Sequence, residues 1–589
     1  MQLTILDWAV LALYFLISLG IGLYFRARAS KSVHEFFLSG RNVPWWLAGT
    51  SMVATSFAAD TPLAVTGLVA KGGIAGNWLW WNFLAGGMLT VFFYARLWHR
   101  AGVMTDVEFA EIRYSGRPAA FLRAFRALYL GLPINCIVMG WVNLAMVKIL
   151  TLTLGVSKLT ALVLVIGLIA VTSVISTLSG LWGVLVTDLF QFVIAMAMVT
   201  VLAFFAVGAV GGLDAMKTRL LAMDQAAGGR GSALSFIPDL NSAWMPMITF
   251  LVYISLNWWA TWYPGAEPGG GGYVAQRMFC ARDEKHSLLA TLWFNVAHYS
   301  LRPWPWILVG LVALILYPGL SDPETGYIRV MIDYLPPSLR GLMVAAFAAA
   351  FMSTIATQLN WGASYLVNDG YRRFLRRGAG EEHYVWASRA ATVLLTIASA
   401  AVTLLMTSIA GAWKLLIVTG AGTGGVLLLR WYWWRVNAWS EVSAMIAAFA
   451  VSFALQLGGG LDSDDPRGFA WIMIITISIT TVVWLVVTLL TRPEREETLR
   501  AFYRKVRPAA AGWKPVARLE PEIQPSRDGW WNLLDVICGC VLIYGTLFGI
   551  GKLLLMETGL GLLLLAAGLA GGAVIYWDLT RRGWRAVAE

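Results

Sequence analysis

A row of small polar side chains lies on one face of an apolar segment near residue 355. Its members are spaced by three, four, three and four residues, as on one side of a helix: Ala350, Ser353, Thr357, Asn360 and Ser364. Thr354 adjoins this face. Hydroxyl and carbonyl oxygens suit a hard cation such as sodium, by the chemistry that governs calcium and magnesium sites. The alternative interpretation is packing, because Ser and Thr also join helices in membranes.

Two other apolar segments carry residues that interrupt a helix. In Thr55 to Pro62, Pro62 removes a backbone donor and biases Thr61 away from helical angles. Further along, Asn257-Trp258-Trp259 is followed by Pro264 to Pro268 and by four glycines, Gly269 to Gly272. Inside a membrane, backbone groups freed in this way must be satisfied by something other than lipid. Unwound carbonyls facing the hydroxyl row predict a weak sodium site that contains no carboxylate.

The composition places these segments in a membrane protein. Of 589 residues, 58% are hydrophobic and 13% are charged, and the mean hydropathy is +0.68. A water-soluble globule is therefore excluded. Nucleic-acid binding is not expected, since the Lys and Arg residues fall between long apolar runs rather than on one face. We interpret the net charge of +11 as a consequence of membrane topology, because Lys and Arg collect in the cytoplasmic loops near the ends of membrane spans.

Helices that cross a hydrocarbon core of roughly 30 Å need about 20 mainly apolar residues. Fifteen such runs are predicted, called segments 1 to 15 in chain order: 4–25, 44–70, 77–98, 121–151, 157–179, 182–210, 244–264, 287–318, 338–368, 384–409, 412–430, 436–458, 468–491, 530–553 and 557–577. Most of the 44 Lys and Arg residues then fall in loops on one side of the membrane. Because cytoplasmic loops are enriched in these residues, the pattern predicts an outside N-terminus and a cytoplasmic C-terminus. The expected location is the plasma (inner) membrane.

The two interrupted segments, 2 and 7, are five spans apart, so the second unit enters the membrane with opposite orientation. This pattern predicts two inverted five-helix repeats with a midplane binding site, as in secondary transporters. Two unrelated kinks are the alternative. The predicted organisation begins with a first helix and its inner loop (1–43), repeat one (44–210), an outer loop (211–243) and repeat two (244–435). Segments 12 and 13 (436–491), a cytoplasmic basic linker (492–529), and segments 14 and 15 with the tail (530–589) follow.

Several strings along these segments resemble the sodium:solute symporter family, which includes the sodium/glucose, sodium/proline and sodium/sialic acid symporters. The strings are Pro44-Trp45-Trp46 with Gly49 to Ala54, Ser179 to Trp182 with Thr187 to Gln191, Gln276-Arg277, and Ala348 to Thr354. The resemblance runs from the N-terminus to about segment 13. It implies an all-α, leucine-transporter-type fold with two inverted repeats and peripheral helices.

The resemblance also implies a sodium site formed by the backbone carbonyls of Ala54, Phe57 and Ala350 and the hydroxyls of Ser353 and Thr354. Some members bind a second sodium through an aspartate matching Asp188 and further hydroxyls. Here Thr357 is kept, but Ala356 stands where such members have serine. The alternative role for Asp188 is a carboxylate at a helix N-terminus, stabilised by the dipole.

The solute site differs from that of the sugar-carrying family members. At the positions where those members have polar amide and carboxyl groups, this sequence has approximately Thr61 and Trp80. Arg302 is a cation inside a core span and should therefore be paired. It would serve as a fork for a substrate carboxylate or as half of an ion pair with Glu267 or Asp60. Asp60 and Glu267 would alternatively coordinate a cationic or hydroxyl-rich solute. The remaining candidates for the solute site are Asn257, Trp258 and Asn360.

The sequence therefore predicts a symporter rather than an enzyme. It would use Na⁺ as coupling ion and import a small organic solute, sugar-like or carboxylate, by alternating access. A transporter-like sensor or subunit is the main alternative, although the linker and tail are short for a signalling domain. An intramembrane enzyme is disfavoured, because clustered carboxylates, histidines and metal ligands are scarce in the sequence.

Overall fold

A computed structural model describes residues 4–29, 39–103, 105–226, 233–261, 267–524 and 526–584. The elements within these ranges are helical, apart from one backbone bridge between Val43 and Ala281. The predicted cations Arg26, Arg28 and Lys31 of the first inner loop lie outside the residues whose side chains are described. The same holds for Pro264 to Ala266 of the segment 7 interruption.

The predicted segments correspond to helices with the following bounds: Ile5–Ala29 (segment 1), Trp45–Ser56 and Asp60–Gly72 (2), Trp78–Trp81, Leu84–Leu89, Thr90–Tyr94 and Ala95–Ala101 (3), Gly116–Tyr129, Leu130–Ile134 and Asn135–Leu154 (4), Lys158–Ala209 (5 and 6), Met247–Val252, Tyr253–Asn257, Trp258–Ala260 and Gly272–Cys280 (7), Glu284–Val296, Ala297–Leu301 and Pro303–Leu316 (8), Leu339–Ser364 and Tyr365–Leu375 (9), Glu381–Leu405 (10), Ile409–Thr419 and Thr423–Tyr432 (11), Ala438–Leu457 (12), Pro466–Leu490 (13), Gly529–Leu554 (14) and Thr558–Arg581 (15). Shorter helices outside the segments are Phe109–Arg113, Leu213–Ala226, Gly326–Tyr334 and Glu496–Val506.

Within the described ranges, ten helices are long and apolar enough to cross a membrane, or twelve if each of two bent pairs is one span. Three of the fifteen predicted spans fall outside this set. Segment 3 is divided into short pieces, and the helical part of segment 7 before its interruption, Met247–Ala260, is only 14 residues long. Segment 5 continues into segment 6 as one helix of 52 residues, Lys158–Ala209. At 1.5 Å per residue this helix is about 78 Å long, more than one span requires.

The interruption predicted in segment 2 is confirmed, but it lies at residues 57–59; the expected departure of Thr61 from helical angles is wrong, because Thr61 and Pro62 belong to the first turn of the second half-helix. Its two half-helices, Trp45–Ser56 and Asp60–Gly72, meet at a bend of 60°. Segment 7 is also interrupted, since its first part ends at Ala260 and the chain resumes as helix at Gly272. Gly269 and Gly270, just before that restart, have φ of 84° and 87°, which a residue with a Cβ atom rarely adopts.

A third interruption, which we did not predict, divides segment 11 with a bend of 54° between Thr419 and Thr423. Gly422 has φ of 90° and donates its backbone N–H to the carbonyl of Ala260 at 2.7 Å. The break in segment 11 is thus bonded to the point where segment 7 stops. The signal that was overlooked is the pair of glycines in Gly420-Ala421-Gly422.

Segment 2 lies inside the molecule, and nearly all side chains of both its halves are buried. Segment 8 packs along both halves, and segment 6 packs against segments 1, 2 and 9. Segments 14 and 15 form a hairpin that contacts segments 3 and 8. Trp304 donates to Leu547 O and Tyr544 donates to Trp81 O, both at 2.8 Å. The hairpin therefore attaches to the helices that surround segment 2.

Candidate sodium and solute site

The first half of segment 2 ends where backbone carbonyls are predicted to bind sodium. Ser56 is its last helical residue, and Phe57 follows with φ of −92° and ψ of 70°. The N–H of Phe57 bonds to Ala54 O at 3.1 Å, and helix resumes only at Asp60. Ala54 and Phe57 are each 3% exposed. The carbonyls freed at this break therefore lie within the protein and away from lipid.

Segment 9 faces this break through Thr354. The Thr354 hydroxyl lies 3.2 Å from Thr55 O and 3.1 Å from Ala350 O, so it bridges the two segments. Ala350, Ser353 and Thr354 are all buried. The structure thus brings the Thr354 hydroxyl of segment 9 to the end of the first half of segment 2, next to its interruption.

Asp188 joins four elements beside these groups. Its carboxylate accepts hydrogen bonds from Ser51 at 2.5 Å and from Ser353 at 2.6 Å. Arg277, on the helix that follows the interruption of segment 7, lies 3.9 Å away. The interpretation of Asp188 as a helix N-terminal carboxylate is wrong, because it lies in the interior of Lys158–Ala209. Thr357 is buried one helical turn beyond Ser353.

A cavity of about 140 Å³ opens beside the break in segment 2. Its wall includes Thr55 and Ser56 of segment 2 and Thr354 of segment 9, and so adjoins the predicted sodium ligands. Aromatic side chains from segments 3, 4, 8 and 11 contribute much of the remaining wall: Trp80, Phe83, Trp141, Tyr299 and Trp413. Trp80 and Tyr299 stack with ring centroids 5.8 Å apart.

Five of the predicted solute residues line this cavity, and three do not. The five are Asp60, Thr61, Trp80, Glu267 and Arg302. Asn257 is buried outside the lining and accepts a hydrogen bond from Thr261 at 3.0 Å. The Trp258 indole bonds to Ile254 O on its own helix at 3.0 Å. Asn360 is exposed, although Gly362, Ala363 and Tyr365 beyond it in segment 9 are buried on other sides of the helix.

The charged groups of the wall have different surroundings. Glu267 forms an ion pair with Arg126 at 3.1 Å, and Arg126 also pairs with Glu441 at 3.1 Å. Glu267, one of the two predicted partners of Arg302, is therefore neutralised by a residue of segment 4. Little in the sequence indicates that Arg126 is the partner of Glu267, because the two residues are 141 positions apart in the chain.

Arg302 attaches segment 8 to the break in segment 2. Its Nη1 donates to Ser56 Oγ at 3.1 Å and to Val53 O at 3.4 Å, and its Nη2 lies 2.6 Å from His298 Nδ1. The guanidinium also lies 5.1 Å from the ring of Trp306. Arg302 thus joins segment 8 to the last turn of the first half of segment 2.

Several lining residues were absent from the predicted site: Ser56, Asn295, His298, Gln358 and Trp413. Ser56 and His298 are hydrogen-bonded to each other at 3.1 Å. A usable signal was present for Gln358, which lies one helical turn beyond Thr354. Trp413 lies in segment 11, and only the tertiary fold brings it to segments 2 and 3.

Residues 36–448 match the family model described as the sodium:solute symporter family. The chain belongs to this family. It is 24% identical over 416 residues to the sodium/glucose cotransporter of Vibrio parahaemolyticus, a match that covers 67% of this chain and 74% of that protein. It is 25% identical over 439 residues to the sodium/mannose cotransporter of Bos taurus, covering 67% and 68%. The match to the family model ends within segment 12.

The fold is also that of a solved symporter. A substrate-bound, outward-open structure of a Na⁺-coupled sialic acid symporter superposes with a TM-score of 0.65 at 20% identity, covering 84% of this chain and 99% of that one. The likeness confirms the predicted leucine-transporter-type fold for this multi-pass membrane protein. The family is one of transporters, as the sequence predicted.

Proposed function

We propose that this protein imports a small organic solute together with sodium by alternating access. The observation that carries the proposal is the position of Thr354. Its hydroxyl belongs to the predicted sodium ligands, it lies 3.2 Å from a carbonyl of the segment 2 break, and it lines the solute cavity. An ion bound there contacts the same backbone that forms the cavity wall. Ion binding and solute binding therefore favour the same conformation, which is thermodynamic coupling.

The proposed sodium ligands are the carbonyls of Ala54, Phe57 and Ala350 and the hydroxyls of Ser353 and Thr354. A second sodium near Asp188 and Thr357 has less support, because both oxygens of Asp188 already accept hydrogen bonds. One ion is sufficient for uptake. A sodium ion that crosses 100 mV contributes roughly 2.3 kcal/mol, and a tenfold gradient adds about 1.4. The sum of about 3.7 kcal/mol supports accumulation of roughly 500-fold.

The cavity wall is consistent with a sugar-like or carboxylate solute. Aromatic rings such as Trp80 and Tyr299 provide faces against which a ring or carbon skeleton packs. Thr61 and Gln358 provide hydrogen-bonding groups, and Arg302 provides positive charge. We place the N-terminus outside and the C-terminus in the cytoplasm, from the distribution of cations between segments.

Uptake by the purified protein in proteoliposomes tests this function. Candidate sugars and carboxylates would be offered with an inward sodium gradient, with an equal potassium gradient, and with no gradient. We expect solute accumulation only in the first condition, and a higher sodium concentration for half-maximal uptake in Thr354→Ala. The matched control is Thr153→Ala, which removes another buried hydroxyl bonded to the carbonyl four residues earlier. Accumulation that is equal in sodium and potassium would contradict the proposal.

A further inference from the structure

Asp60 is a buried carboxylate that the structure leaves without a cationic partner. It is the first residue of the second half of segment 2, it is 3% exposed, and it lines the solute cavity. Its Oδ1 has no hydrogen-bond partner, and none of the described Lys or Arg side chains lies within the 4.0 Å of an ion pair. The N-terminus of a helix provides only about half a positive charge.

Four other buried carboxylates of the described core are paired or hydrogen-bonded, in contrast to Asp60 Oδ1. Glu267 pairs with Arg126, and Glu441 pairs with Arg430 at 3.2 Å. Glu324, on the outer side, pairs with Lys148 at 2.6 Å. Asp188 accepts two hydroxyl bonds. A carboxylate removed from water costs several kcal/mol unless an opposite charge compensates it. The Arg302 guanidinium acts on Asp60 electrostatically, but no ion pair joins the two among the described contacts. A cation that enters the cavity would supply the direct partner that Asp60 lacks.

The surroundings of Asp60 favour an organic cation as that partner. The Trp413 side chain lies beside the carboxylate, and Trp80 and Trp141 line the same cavity. Aromatic faces attract ammonium groups through cation–π interaction. A hydroxyl also donates a hydrogen bond to a carboxylate, but it leaves the charge uncompensated. An ammonium adds to the hydrogen bond the attraction between opposite charges, which a hydroxyl lacks.

We propose that the solute carries a protonated amine, which binds to the carboxylate of Asp60. The proposal rests on the proposed function and narrows its substrate class. The solute is then a sugar or a carboxylate that also bears an amine, such as an amino sugar or an amino acid. Thr61 and Gln358 remain available for its hydroxyl groups.

Paired probes that differ only at the amine test this inference. The pairs are glucosamine and glucose, alanine and lactate, and ethanolamine and ethylene glycol. Binding to the purified full chain would be measured in sodium by thermal shift and by tryptophan fluorescence. We expect at least one amine to bind more tightly than its hydroxyl partner by about tenfold or more, because only the ammonium brings an opposite charge to the carboxylate. Equal binding within all three pairs, or no binding in any pair, overturns the inference.

The variant Asp60→Asn, which is nearly isosteric, assigns the effect to the carboxylate. We expect it to remove the preference for the amine while it keeps the thermal shift that sodium produces without solute. That sodium response also serves as the check that the variant is folded. If Asp60→Asn loses the sodium response but remains folded by its melting transition, Asp60 is part of an ion site and the inference is wrong. Sodium-dependent uptake of hydroxyl-only solutes would refute the amine and leave the proposed symport intact.

Discussion

The bridge between segments 9 and 2 makes Thr354→Ala the most informative single substitution. The Thr354 hydroxyl lies 3.2 Å from Thr55 O and 3.1 Å from Ala350 O, and the side chain is 4% exposed. If it is a sodium ligand, its removal takes away one of five oxygens around the ion. A bond between a neutral group and a charged one contributes about 1.5 to 3 kcal/mol. At 1.4 kcal/mol per factor of ten, this corresponds to a roughly 10- to 150-fold loss of sodium affinity.

The assay is the melting temperature of the purified protein as a function of sodium concentration, since a ligand that binds only the folded state raises stability by mass action. Thr354→Ser keeps the hydroxyl and should stay near the wild-type sodium dependence. Thr153→Ala should lower the melting temperature without changing the half-saturating sodium concentration. A half-saturating concentration for Thr354→Ala within about twofold of wild type, where the predicted change is at least tenfold, would refute the assignment.

Three further predictions concern other parts of the structure. Glu267→Gln should lower the melting temperature, because breaking a buried ion pair costs up to about 3 to 5 kcal/mol. Among the described residues, Arg126 would still have Glu441 and Asp106 as carboxylate partners. An unchanged melting temperature in calorimetry would show that the Arg126–Glu267 pair contributes little. Asn360→Ala should leave solute uptake unchanged, since Asn360 is exposed, while Trp80→Ala should reduce it because Trp80 lines the cavity; the opposite ranking in the proteoliposome assay would contradict the assigned lining. In the basic linker of residues 492–529, hydrogen bonds from Arg504 and Arg500 lower the pKa of Glu520, so its contribution to stability is present above the unfolded pKa of about 4.3 and is lost as pH falls through the lowered value. Hydrogen exchange, corrected for its intrinsic pH dependence, should therefore show less protection of the helix Glu496–Val506 on acidification, and Glu520→Gln should remove that change.

Local sequence signals predicted the parts of the site that depend on local chemistry. Pro62 cannot donate a backbone hydrogen bond, so the break in segment 2 was readable from the sequence. The spacing of Ala350, Ser353 and Thr357 likewise gave one face of a helix. The same face misplaced Asn360, because periodicity gives the side of a helix but not which neighbouring helices cover that side at each level.

The partners of the buried charges were not predictable, since they depend on which distant segments pack together. Arg126 and Glu267 are 141 residues apart, and nothing in either segment identifies the other. The break in segment 11 was missed for a different reason. Its glycines, Gly420 and Gly422, resemble the many glycines that are tolerated inside membrane helices.

The central claim is that sodium binds where the unwound part of segment 2 meets the hydroxyls of segment 9. An experimental density map of the protein in sodium, compared with one in potassium, tests it most directly. We predict a density peak in sodium alone, enclosed by the carbonyls of Ala54, Phe57 and Ala350 and the hydroxyls of Ser353 and Thr354. A continuous helix through residues 54–60, or an ion that appears only elsewhere, would contradict the account.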